Sequence, residues 1–366
     1  MATKTHTIGC MISIYAIPLL LAMFLAINMG GSGTAPTFAA AYGANLIRRD
    51  LIPGFFGIFV FLGAVIAGQK VIATVGGDVL PAETVNMTLC IIIVGSIGLA
   101  MFFANMLKVP QSTSQATIFA LAGPALYLDV LQTRRLFFEM IPTWFITPLL
   151  AFGISYGFGR FVYNPLRGKL EPILSVLRQH RALQWFVVST ACYVSFSIGS
   201  NNIANAVAPV LVMAVNILGV QIGSEDYTII MLILVFMLAP MFGLGSSLLG
   251  KRVLETTGKD IAEFGPLGAS YISIITATIL LTSSLWRGIP ASLVQMNTAA
   301  VIGLSMVKKS ESRKKSKNGL PGTPDQPAPT KKPPLARIFT VWLVSPLIAM
   351  ALSLFFTWLA DAFGWI

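Results

Sequence analysis

The sequence predicts an all-α polytopic membrane protein made of two half-chain repeats, with broken helices or hairpins where the repeats meet. Three observations carry this. Of 366 residues, 55% are hydrophobic and 11% charged, with a mean hydropathy of +0.78; a soluble domain carries about 25% charged residues. Several apolar runs approach the roughly 20 residues that span a bilayer, and the short alternating segments of a β-barrel do not occur. The order of apolar runs, polar clusters and loops in the first half recurs in the second.

Taken in order, residues 1–8 are a short polar start holding Lys4, and residues 9–27 are apolar. A charged start before an apolar core also fits a secretory signal peptide. The segment is read instead as part of the protein, because the next stretch, 28–37 (NMGGSGTAPT), is placed like a polar cluster of the second half. After Arg48 and Arg49, spans are expected at about 51–68 and 85–106, followed by KVPQSTSQA at 108–116 and a span at about 136–156. A basic linker, 161–181, separates an N-terminal repeat (1–160) from a C-terminal one (182–366).

The second half opens with an apolar run into 197–209, SIGSNNIANAVAP. Asn201, Asn202 and Asn205 stand at i, i+1 and i+4 and share one face of a helix. An unsatisfied amide in hydrocarbon costs several kcal/mol, about 4–8 on a cyclohexane scale. The cluster therefore implies a ligand or a partner helix. The small residues and Pro209 suggest a broken helix with free backbone groups. Spans at 227–250 and up to about 286 follow, then RGIPASLVQ at 287–295, a basic loop (307–336) expected to be disordered at 318–334, and a last span at 341–359.

The matches are ordered. Asn28 precedes Asn201 by 173 residues, and Lys70 to Asp78 resembles Arg252 to Asp260 at a spacing of 182. Gly63 and Gly68 recur as Gly245 and Gly250 at the same spacing, and Pro110 and Gln115 recur as Pro290 and Gln295 at 180. Two such halves, each with interrupted hydrophobic segments, are the pattern of a secondary transporter. Arg48–Arg49 against Glu225–Asp226 suits inverted repeats. Between Met306 and Thr340 nine basic and two acidic residues leave +7, most of the net +11. A basic loop between spans marks the cytoplasmic side, which puts the C-terminus outside, and it is not a nucleic-acid footprint.

Cys10, Cys90 and Cys192 lie in apolar stretches, and His6 and His180 lie outside the spans. No metal, cofactor or disulfide framework is expected from them. The polar clusters offer Asn28, Gly31, Ser32, Ser112, Thr113, Ser114 and Gln115 from one half, and Asn201, Asn202, Asn205, Ser292 and Gln295 from the other. Amide NH₂ groups, hydroxyls and backbone N–H groups at helix starts suit an oxyanion. For Gly30–Gly33 the rival reading is close helix packing through small residues.

These stretches resemble the inorganic phosphate transporter family. Its duplicated signatures are a Gly-Ala-Asn-Asp-x-x-Asn-Ala stretch and a Pro-Val-Ser-Thr-Thr-His/Gln stretch. Residues 200–206 (SNNIANA) and 110–115 (PQSTSQ) match well, and 28–33 (NMGGSG) and 290–295 (PASLVQ) are degenerate copies. The family aspartate is Met29 in the first copy and Asn202 in the second. Protonated phosphate can donate to a carboxylate, whereas sulfate carries no proton to share, so losing both acids favours sulfate. This is similar to the CysP-type sulfate permease branch. The resemblance implies sulfate import through the cell membrane by alternating access, in a homodimer, coupled to H+ or Na+, with Glu139 and Ser114 as coupling-ion candidates. Glu139 equally fits a surface pair with Arg135 at i−4. Other oxyanions (phosphate, thiosulfate, molybdate) on the same scaffold and a passive anion channel stay open. A membrane enzyme carries little weight, because the spans hold no acid/base pair, nucleophile–base pair or metal cluster.

Overall fold

The computed structural model describes residues 2–106, 111–163, 165, 181–262, 265–317 and 335–366. Among them the chain is helix and turn throughout. The helices are α1 (Ala2–Gly43), α2 (Ile52–Ala67), α3 (Gln69–Gly77), α4 (Met87–Met106) and α5 (Thr113–Tyr127) in the first half. A turn at Thr133–Arg135 and a π-helical turn at Leu136–Met140 lead into α6 (Ile141–Phe158). The second half has α7 (Arg181–Leu218), α8 (Glu225–Ala262), α9 (Gly265–Thr282), α10 (Leu293–Lys317) and α11 (Leu335–Ala362). Eight of the described helical segments are long and apolar enough to cross a membrane.

The interruptions fall elsewhere than the asparagines suggest. α7 runs unbroken through residues 197–209 with Pro209 inside it, and α1 runs unbroken through 28–37 with Pro36 inside it. A proline removes one N–H and crowds the carbonyl four residues back. Here those carbonyls belong to Asn205 and Ser32, and neighbouring helices let a membrane helix tolerate such gaps. Non-helical stretches lie instead at residues 111–112 and 288–292, so α5 and α10 start inside the protein. Gly288 takes a positive φ of 65° at the second break, directly after the π-helical turn Ser283–Arg287.

The basic loop also differs from expectation at its start: α10 continues as helix to Lys317. Its Lys, Arg, Glu and Ser residues are adequate helix formers, and cations at a helix C-terminus are favourable. The disorder expected at 318–334 and most of the linker at 161–181 lie outside the described residues.

Glycines set the helix crossings. A methyl group at Gly63 would lie 1.9 Å from the Phe196 carbonyl oxygen, and one at Gly199 2.0 Å from that of Val60, so α2 and α7 cross backbone to backbone. At Gly30 it would lie 2.1 Å from Phe242 O, and at Gly245 2.0 Å from Ile27 O, which joins α1 to α8 the same way. The two crossings correspond residue by residue. Gly63 and Gly245, like Val60 and Phe242, are 182 residues apart, while Ile27 and Phe196, like Gly30 and Gly199, are 169 apart. Gly68 on Ile203 and Gly250 on Thr34 keep the same spacings. A further pair sits Gly123 of α5 against Met350 and Leu354 of α11, and Gly303 of α10 against Phe152 and Tyr156 of α6, at spacings of 180 and 198.

A side chain at these crossings must push two backbones apart, at a cost of about 1–3 kcal/mol or more. Gly199→Ala and Gly245→Ala are expected to lower the melting temperature in detergent. Gly153→Ala, where a methyl meets nothing within 4 Å, is expected to be neutral or to gain up to about 1 kcal/mol from helix propensity.

Candidate functional site

The polar centre forms where two helices begin. Ser112 caps α5, its hydroxyl accepting from the Gln115 N–H at 3.3 Å, and Ser292 accepts from the Gln295 N–H at 3.4 Å to cap α10. The two glutamines then exchange hydrogen bonds: Gln115 Nε2 donates to Gln295 Oε1 at 3.2 Å, and Gln295 Nε2 donates to Gln115 Oε1 at 3.0 Å. All four side chains are buried. The helix starts are thus held head to head. First-turn N–H groups lack an intrahelical acceptor, and each start carries about half a positive charge. Two such starts at one place favour an anion.

α7 crosses this junction. Asn201, fully buried, accepts the Ala291 N–H at its Oδ1 (3.0 Å), and its Nδ2 lies 3.1 Å from Ala291 O, 3.1 Å from Ser114 Oγ and 2.7 Å from Asn202 Oδ1. Ser114 donates to the same Ala291 carbonyl at 3.1 Å. Asn205 Nδ2 lies 3.5 Å from Thr113 Oγ1 and 3.9 Å from Met29 Sδ. Asn205 Oδ1 is buried with no hydrogen-bond partner among the described residues. Asn202 is only half-buried, and its NH₂ has no partner among the described residues. Trp144 of α6 fastens the break from outside by donating to Pro290 O at 2.8 Å, and Ser345 of α11 hydrogen-bonds Gln111 Oε1.

The structure therefore gathers Ser112, Thr113, Ser114, Gln115, Asn201, Asn202, Asn205, Ser292 and Gln295. It takes four other sequence candidates elsewhere. Asn28 donates to Phe24 O within α1 and accepts from Asn105 of α4. Gly31 lies against Leu249 of α8, where a methyl would come within 2.5 Å of its Cβ, so close packing describes it. Ser32 turns its hydroxyl back to Met29 O. Glu139 pairs with Arg135, away from the junction.

The register also corrects the assignment of the absent acid. The 169-residue spacing of the α1 and α7 crossings, rather than 173, aligns Ser32, Gly33 and Pro36 with Asn201, Asn202 and Asn205. At that spacing Gly33, rather than Met29, falls at the position of Asn202. Met29 is a fully buried core residue. Trp144 escaped the sequence reading although a signal existed. Residues 144–148 (WFITP) recur as 342–346 (WLVSP) at a spacing of 198, hidden by the longer connection before α11.

Helix starts facing each other inside a bundle of membrane-crossing helices define a transporter scaffold with a polar centre. Residues 29–320 match the phosphate transporter family, and the chain belongs to that family: it is a multi-pass membrane transporter, not an enzyme. It is 31% identical over 336 residues, 92% of this chain and 85% of the relative, to the sulfate permease CysP of Bacillus subtilis. Its fold superposes on a solved sodium-dependent phosphate transporter with a TM-score of 0.74, covering 96% of this chain and 99% of that one at 21% identity.

If the glutamine pair holds the two helix starts together, a double-mutant cycle of Gln115→Ala and Gln295→Ala in thermal unfolding will show coupling of about 1–2 kcal/mol. Additive effects would show that the two side chains do not support each other.

Proposed function

We propose that this protein is a secondary active transporter that imports sulfate across the cell membrane by alternating access, coupled to an H+ or Na+ gradient. One observation carries the reading: two helix starts meet at a cluster of amides and hydroxyls with no carboxylate among the described side chains that touch there. The Asn202 NH₂, the hydroxyls and the first-turn N–H groups are donors that suit a fully ionised anion, and an acid at the same place would repel it. The sulfate permease relative supports this choice of substrate. Within the cluster Asn202, Asn205, Ser112, Thr113 and Ser292 contact the anion, and Asn201, Ser114, Gln115 and Gln295 hold the helix starts in place. We further infer two inverted repeats related through the matched glycine crossings, a homodimer, and a cytoplasmic position for the basic loop 307–336.

A second reading keeps the scaffold and changes the cargo to phosphate, the anion for which the solved transporter of the same fold is named. Labelled-sulfate uptake into proteoliposomes, with imposed gradients and excess cold phosphate, separates the two. Uptake that ignores phosphate is the expected result, and uptake blocked by it would favour the second reading. Linear, gradient-independent flux would indicate a passive channel.

A hydrogen bond to a charged group contributes about 1.5–3 kcal/mol. Asn202→Ala is therefore expected to weaken sulfate binding by about 10- to 150-fold at normal expression. Asn202→Asp should lose sulfate more severely and, combined with Gly33→Asp, shift preference toward phosphate. Unchanged sulfate uptake in Asn202→Ala would remove this residue from the site.

A further inference from the structure

Among the described residues the central cluster holds no group that titrates near neutral pH, yet one ionisable cluster elsewhere is partly buried. Asp78, at the end of α3, and Glu139, in the π-helical turn before α6, are 25% and 29% exposed; every other described carboxylate whose burial is given is exposed. Both approach the same guanidinium. Arg135 Nη2 lies 3.1 Å from Asp78 Oδ2, and Arg135 Nη1 bonds Glu139 Oε2. Two carboxylates on one cation leave one negative charge in excess, which a single proton removes. Burial, and secondly the Glu139 charge, push the Asp78 carboxyl above the usual range, against the pull of Arg135 and of a hydrogen bond from Thr74. A metal cation entering there would meet the fixed guanidinium, whereas a proton needs no coordination shell.

Two mechanical links run from this cluster to the break at 288–292. Along α3, Lys70 donates to Leu285 O at 2.8 Å, and Gly288 sits so close to Thr74 that a methyl there would lie 3.0 Å from Thr74 Oγ1. Thr74 is the residue that hydrogen-bonds Asp78. Along the other route, Glu139 O accepts from Thr143 Oγ1 at 2.7 Å, and the neighbouring Trp144 holds Pro290 O. Both routes end beside Ala291, whose N–H and C=O are held by Asn201.

We propose that Asp78, Arg135 and Glu139 form the proton-binding site that couples a pH gradient to anion movement, an inference that rests on the sulfate-transport reading. A proton from water binds the Asp78 carboxylate and weakens its grip on Arg135, and α3 and α6 pass the change to the 288–291 segment. The charged groups facing Asp78 are Arg135 and Glu139; Lys70 on α3 is bonded to Leu285 O, Arg287 is the one charge on the turn packed against α3, and Glu83, Asp129 and Arg134 in adjoining turns are exposed.

The test uses the purified full chain in proteoliposomes. Two quantities are read: exchange of labelled sulfate at equal concentration on both sides, and accumulation driven by an inward proton gradient of about one pH unit, enough for about tenfold. Wild type should do both. Asp78→Asn should keep exchange and lose the pH-driven accumulation. Glu139→Gln serves in its place where the first variant does not fold, and Asp78→Glu should shift the pH midpoint of accumulation. Accumulation by Asp78→Asn equal to wild type overturns the proposal, as does joint loss of exchange and accumulation in folded protein. Accumulation by wild type that follows sodium and ignores pH overturns the proton site while leaving the sulfate reading intact; absence of wild-type sulfate exchange overturns both.

Discussion

The pairing of Gln115 with Gln295 is the contact on which the polar centre depends. A helix start buried in protein leaves unpaired donors and a concentrated positive end, and two such ends repel. The amide exchange offsets that repulsion with two buried hydrogen bonds, each contributing about 1 kcal/mol. With the starts so fixed, Asn201 can span from Ser114 to Ala291, and Thr113 comes to face Asn205. The remaining attraction for negative charge belongs to whatever anion enters.

The glycine crossings make that junction reachable. α2 meets α7, and α1 meets α8, at backbone contact, which draws the long helices together around the short ones. Apolar side chains gain nothing from leaving lipid, so close backbone approach and dispersion supply the association. Rigidity at the crossings then keeps the asparagine face of α7 aimed at the two helix starts.

The fold class was legible because hydrophobic length and charge depletion report directly on the bilayer. The pairing of the Ser112–Gln115 and Ser292–Gln295 segments was legible from their common spacing of 180. The continuity of α7 was not, because proline and asparagine signal a break only where nothing satisfies them, and the satisfying groups come from α5 and from residue 291, far away in sequence. Matching asparagine to asparagine sets α1 against α7 at a spacing of 173, four residues from the 169 of the glycine crossings and close to one helical turn. The true correspondence runs through glycines whose meaning is visible only when a second backbone lies against them.

The correspondence also shows what the two halves do not share. Asn201 of α7 reaches Ser114 and Ala291 and Asn205 lies against Thr113, whereas Ser32, Gly33 and Pro36 of α1 bring to a register 169 residues earlier one inward-bonded hydroxyl, no side chain and no N–H. The glycine crossings match in spacing and the polar side chains do not. A substitution on the polar face of α7 disturbs the hydrogen bonds that join Asn201 to Ser114 and Ala291, and one at Gly30 of α1 meets the backbone of Phe242.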